Sequence, residues 1–146
     1  MIKRRLTVTA LAALAAVGGC STDWLAGESR ITPLVEGLQN PDLESREAAA
    51  EKLEEVAGTG LTRKEGMEAL WAASQSFPPR KYDWQDSAAD LVSAAAQEPY
   101  AEYVPVVRQE FPDFSPGAKR EALSLLASLP QRAAAEAYVD LLESGP

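Results

Sequence analysis

The side chains with the most obvious chemistry in this sequence are its carboxylates. Glu44, Glu47, Glu51, Glu54 and Glu55 crowd one short stretch. Two acids facing each other across a cleft can hydrolyse a glycosidic bond, one as acid and one as nucleophile or base. Clustered acid oxygens can also hold calcium. Spacing argues against both here. On a helix, i, i+3 and i, i+4 glutamates share one solvated face, and the chain has no Asp-x-Asp-x-Asp-Gly loop. The sequence contains no histidine and one cysteine, Cys20. It therefore offers no Ser–His or Cys–His nucleophile pair, no imidazole ligand or thiolate zinc cluster, and no internal disulfide. No Ser-x-x-Lys, Gly-x-Ser-x-Gly or glycine-rich phosphate loop is present. The expectation is a non-enzyme with no catalytic residue, no metal ligands and no cofactor.

Charge narrows the partners. The 146 residues carry 14 Lys and Arg against 22 Asp and Glu, a formal net charge of -8. An acidic chain repels the phosphates that a nucleic-acid binder must attract, so nucleic acid is not an expected partner. The length suits one domain.

The amino terminus reads as an address. Lys3, Arg4 and Arg5 precede an uncharged run, Leu6 to Val17. That run falls short of the roughly 20 apolar residues a bilayer span needs and suits a secretory signal. Val17-Gly18-Gly19-Cys20 resembles the lipobox of bacterial lipoproteins. The resemblance implies a diacylglyceryl group on the Cys20 sulfur, cleavage just before Cys20, and acylation of the new amino group. Several acyl chains anchor stably where one does not. Ser21, in place of aspartate after the cysteine, implies sorting to the outer membrane, facing the periplasm, in a Gram-negative cell; otherwise the anchor sits on the outer face of the cytoplasmic membrane. The expected organisation is a signal peptide (1–19), a lipidated terminus and tether containing Trp24 (20–30), and a folded domain (31–146).

Hydrophobic period makes that domain all-α. Ile31, Leu34, Val35 and Leu38 begin a series of about seven amphipathic stripes. Further stripes run through Leu53 and Val56, Met67 to Trp71, Trp84 to Ala95, Tyr100 to Phe111, Ala122 to Leu129, and Ala134 to Leu142. Thr62-Arg63-Lys64-Glu65 has the capping-box pattern, and Asp83 is placed to cap the fourth helix. Pro105 moves the start of the fifth helix towards Val104. Trp71, Trp84 and Tyr103 lie on the apolar stripes and are expected in the core. Tyr82, beside Arg80 and Lys81 after Pro78-Pro79, is expected outside it.

Ile31 to Asp42 and Tyr103 to Asp113 share an apolar-x-Pro-apolar-apolar…Pro-Asp pattern. Each is followed by an Arg-Glu-Ala helix, at Arg46-Glu47-Ala48 and Arg120-Glu121-Ala122. The pattern resembles HEAT-type repeats. It is strongest over Ile31 to Gly58, weaker over Tyr103 to Leu129, where Phe114 to Gly117 adds residues, and only a helix pair over Leu61 to Gln97. The resemblance implies a short α-solenoid of stacked hairpins closed by a capping helix, with an irregular helical bundle as the alternative. It further implies that second helices line a partner surface, here an acidic one including Glu47, Glu51, Asp86, Asp90 and Glu121, with Tyr82 as an exposed aromatic. The expected function is an anchored, non-catalytic protein-binding or scaffolding lipoprotein. The alternatives are a pilotin-like assembly factor, favoured by a groove for one amphipathic helix, and a carboxylate-dependent envelope hydrolase, favoured by buried facing acids.

Overall fold

The computed structural model describes residues 28–144. Seven α-helices make up its regular structure: α1 (Ile31–Leu38), α2 (Leu43–Gly58), α3 (Arg63–Ala73), α4 (Ser87–Ala96), α5 (Tyr103–Glu110), α6 (Pro116–Ser128) and α7 (Arg132–Glu143). A single 3-10 turn, Phe111–Asp113, joins α5 to α6. No strand occurs among the described residues, so the fold is all-α. Cys20, Trp24 and the basic and apolar segments before them lie outside the described residues.

Local chemistry sets the helix ends. Asp42 caps α2 by accepting the Ser45 amide at 3.0 Å. Thr62 and Glu65 form the expected capping box, with the Glu65 amide donating to Thr62 Oγ1 (3.2 Å) and the Thr62 amide donating to Glu65 Oε1 (3.0 Å). Between α2 and α3 the chain turns through Gly60 at φ +86°, a left-handed conformation that glycine adopts without a steric penalty. The α4 cap is Asp86, which accepts the Ala89 amide at 3.1 Å, and not Asp83. Helix α4 therefore starts three residues after Trp84. This corrects the expectation that Trp84 is core: it sits in the turn ahead of the helix, off the apolar stripe, and is 79% exposed. Pro105 is the third residue of α5, within the first turn, where its missing N–H costs no helical bond.

The helices adjoin in an ordered way. Helix α1 packs on α2 and α3, α3 on α4 and α5, and α5 on α7. Helix α2 also packs on α4, α4 on α6, and α6 on α7. Leu38, Leu53, Met67, Leu70, Leu91, Tyr103, Leu125 and Leu126 fill the interior and are almost fully excluded from water. Burying a side chain of that size is worth about 1.5–3 kcal/mol. Buried alanines, among them Ala69, Ala73, Ala118, Ala122 and Ala137, let the helices approach closely. Tyr103 packs across α3 at Gly66, where a β-carbon would lie 1.7 Å from the Tyr103 hydroxyl oxygen.

The two Arg-Glu-Ala segments do not behave alike. Arg46 is buried and donates to the carbonyls of Asn40 and Pro41 (2.8 Å each) and Pro79 (3.1 Å). It thereby joins the α1–α2 turn to the loop before α4. Arg120 is exposed, because the chain enters α6 through the 3-10 turn and a Ser115 cap, with Pro116 as the first helical residue.

Candidate functional site

Where α2 and α4 face each other, both carry small residues. Ala50, Ala57 and Gly58 on one side and Ser93 and Ala94 on the other leave a groove of about 630 Å³ over buried Leu53. A β-carbon added at Gly58 would meet nothing within 4 Å. Glu47, Glu51 and Glu54 line the α2 side, Asp90 and Gln97 the α4 side, and Arg80, Trp84 and Gln85 one end.

Arg80 organises that end. Its side chain is only 5% exposed and reaches carboxylates on both helices. Nε and Nη2 donate to Glu47 at 2.8 and 3.3 Å, and Nη1 donates to Asp90 Oδ2 at 3.1 Å. Glu47 accepts two more bonds, from the Lys81 amide and from Gln85 Nε2, both at 3.2 Å. The bonds from Arg80 and Lys81 hold its carboxyl down to about 2. Asp90 behaves oppositely. Loss of water contact pushes its carboxyl above the ordinary aspartate range despite Arg80, and the neighbouring charges of Asp86 and Glu54 add to the rise. One arginine thus leaves the groove with surplus negative charge.

The loop clamped by Arg80 carries an aromatic ledge. Gln85 Oε1 accepts the Tyr82 amide at 2.8 Å, closing a tight turn. The Tyr82 and Trp84 rings stack with centroids 5.7 Å apart and planes 4° from parallel. Lys81 Nζ lies 5.3 Å from the Tyr82 ring centroid, a cation–π contact. Both rings are exposed, Trp84 far more than Tyr82. A large apolar side chain left in water but fixed in place is the feature that calls for explanation.

Of the residues expected on a partner face, Glu47, Glu51 and Asp90 meet in this groove and Tyr82 stands on its ledge. Asp86 and Glu121 do not line it. Asp86 is occupied in capping α4 and accepting the Ser115 hydroxyl at 2.5 Å, and Glu121 lies half-buried on α6. Arg80, Trp84, Gln85 and Glu54 also line the groove, although the sequence does not place them on the partner face. Arg80 meets Glu47 from 33 residues away, and the only local sign was basic and aromatic residues following two prolines.

The acids of the groove all reach solvent, Glu47 least and Glu51 and Glu54 freely. Elsewhere Glu65 is 2% exposed, but Arg30 closes its charge with bonds of 2.7 and 2.8 Å. Among the described residues no group of three or more His, Cys, Asp or Glu is arranged to hold a metal ion. A second recess of about 470 Å³ between α1 and α2 mixes Pro33, Leu34 and Val56 with Arg30, Lys52 and Glu55. No helix among the described residues is long and apolar enough to cross a membrane. No family model, curated protein or solved structure matches the chain.

Proposed function

We propose that this chain is a lipid-anchored envelope lipoprotein whose helical domain binds a protein without catalysing a reaction. The observation that carries the binding reading is the stacked, exposed Tyr82–Trp84 pair at the end of an acidic groove where Arg80 joins α2 to α4. Aromatic side chains fixed at a surface are typical anchors of protein interfaces. The anchoring reading rests on Lys3, Arg4 and Arg5, the apolar run, and Val17-Gly18-Gly19-Cys20. The domain's architecture is, in this reading, a short HEAT-like solenoid. The succession α1, α3, α5, α7 on one side and α2, α4, α6 on the other supports it, and the groove then lies between the second helices of the first two hairpins. Lipidation at Cys20 would hold the domain at a membrane surface and raise its effective concentration near co-anchored partners.

The test uses the full chain in a bacterial host. The wild type is expected to incorporate labelled fatty acid, sediment with membranes and form a protein adduct on in-cell crosslinking. Cys20→Ala should lose the label and the membrane association. Trp84→Ala should keep both and lose the adduct. Unchanged membrane fractionation of Cys20→Ala contradicts the anchor, and an adduct indifferent to Trp84 contradicts the binding site.

A further inference from the structure

The groove constrains the chemistry of whatever enters it. Glu51 and Glu54 are exposed on α2, and Asp90 faces them from α4 with 47% of its side chain exposed. Among the described residues, Arg80 is the one cation lining the groove, and it is already engaged by Glu47 and Asp90 and is itself buried. Between these charges lies a floor of Ala50, Leu53 and Ala94 that suits alkyl chains rather than more charge. Trp84 stands at the end, stacked on Tyr82, in a loop where Lys81 already rests over the Tyr82 ring.

Building on the protein-binding reading above, we propose that the groove takes a peptide segment carrying two or more lysine or arginine side chains, one of them against Trp84. Long basic side chains match every part of the site. Their alkyl stems cover apolar floor while the charged heads stay near water. The heads meet Glu51, Glu54 and Asp90, and a cation near Trp84 gains an interaction with the indole face. Other ligands fit worse. A neutral sugar could use the rings but would leave the carboxylates uncompensated. Anionic headgroups and nucleic-acid phosphates would meet charges of their own sign. Complementary charge also speeds encounter at low salt.

The experiment uses the purified full chain in nonionic detergent and a fluorescein-labelled nine-residue peptide of alternating lysine and alanine, read by anisotropy. The comparators are the alternating glutamate and alanine peptide and phosphatidylglycerol vesicles. Saturable binding of the lysine peptide is expected, weakening with salt. Trp84→Ala, and Glu51→Gln with Glu54→Gln, should each weaken it about tenfold, the loss of one hot-spot contact or a charge pair. Glu121→Gln, outside the groove, should change it less than about twofold. No binding of the lysine peptide, equal binding by the groove variants, or preference for the glutamate peptide or the vesicles overturns the proposal. Failure here is separable from failure of the protein-binding reading: an in-cell adduct that depends on Trp84 but joins a segment free of lysine and arginine sinks this proposal and leaves that reading intact.

Discussion

Two arginine–glutamate clamps hold this molecule together, and they are built in opposite senses. At the start of the domain the acid is buried and the base is not: the Glu65 side chain is 2% exposed and that of Arg30 45%. Arg30 also donates to Thr59 Oγ1 and the Gly60 carbonyl, and its backbone amide donates to Glu65. Every strong acceptor there is used, and the clamp closes the α1 entrance against α3. At the groove the base is buried and the acids are not: Arg80 is 5% exposed, Glu47 28% and Asp90 47%. The first arrangement neutralises a charge inside the protein. The second turns carboxylates outward and fixes an aromatic pair beside them. On the proposal above, the difference separates a clamp that serves folding from one that serves recognition.

The comparison can be broken first at Glu65. Glu65→Gln leaves Arg30 without its counter-charge and leaves one oxygen where two now accept the Arg30 and Thr62 backbone amides. The expected loss is about 2–3 kcal/mol, held below the fully buried case because Arg30 is half exposed. That corresponds to a melting temperature lower by roughly 10 °C for a domain of this size. A shift under 2 °C would show that the first clamp is not structural.

Acid titration sharpens the contrast. Glu47 and Glu65 both have carboxyls depressed to about 2 in the folded state. A depressed acid contributes stability that is present above its unfolded value, near 4.5, and lost as pH falls towards about 2. Asp90, raised by desolvation first, has the opposite sign: its contribution is present at low pH and lost as pH rises through the raised value. Urea midpoints measured from pH 7 to pH 2 should therefore fall below about pH 4.5. Glu65→Gln and Glu47→Gln should each flatten that fall, because both carboxyls are depressed to the same value. A fall left unchanged in either variant would show that its carboxyl is not held by its arginine.

The smallest effect on stability is expected at Trp84. With 79% of the residue in water, Trp84→Ala should change the unfolding free energy by no more than about 0.5 kcal/mol. A loss above about 1 kcal/mol, by chemical denaturation, would mean the ledge is packing and not display.

The sequence makes the helices legible and the site only partly so. Apolar period and caps locate α1, α2, α3, α6 and α7 because those signals are local. Thr62 and Glu65 cap α3 as their spacing implies. Trp84 fails for an instructive reason: aspartate is a favoured cap, so Asp83 and Asp86 look alike in sequence, and choosing the first extends the stripe back over Trp84. Glu47, Glu51, Asp90 and Tyr82 are recognisable as polar or exposed, but nothing local tells that Arg80 is buried. Its partners come from two helices, and only packing of α2 against α4 brings them to it. Asp86 and Glu121 enter the expected partner face through the HEAT resemblance, and a repeat pattern does not foresee a carboxylate taken up by its own helix cap.

The central claim, that the ledge beside the acidic groove is where this protein meets its partner, is tested most directly by site-specific photo-crosslinking in cells. Benzoylphenylalanine would be placed in the full chain either at position 84 or at position 139, where Val139 is also exposed, at 49%, on α7. The account predicts a discrete protein adduct from position 84, lost in a Glu51→Gln, Glu54→Gln background, and no adduct from position 139. A partner captured equally from both positions, or only from 139, would contradict it.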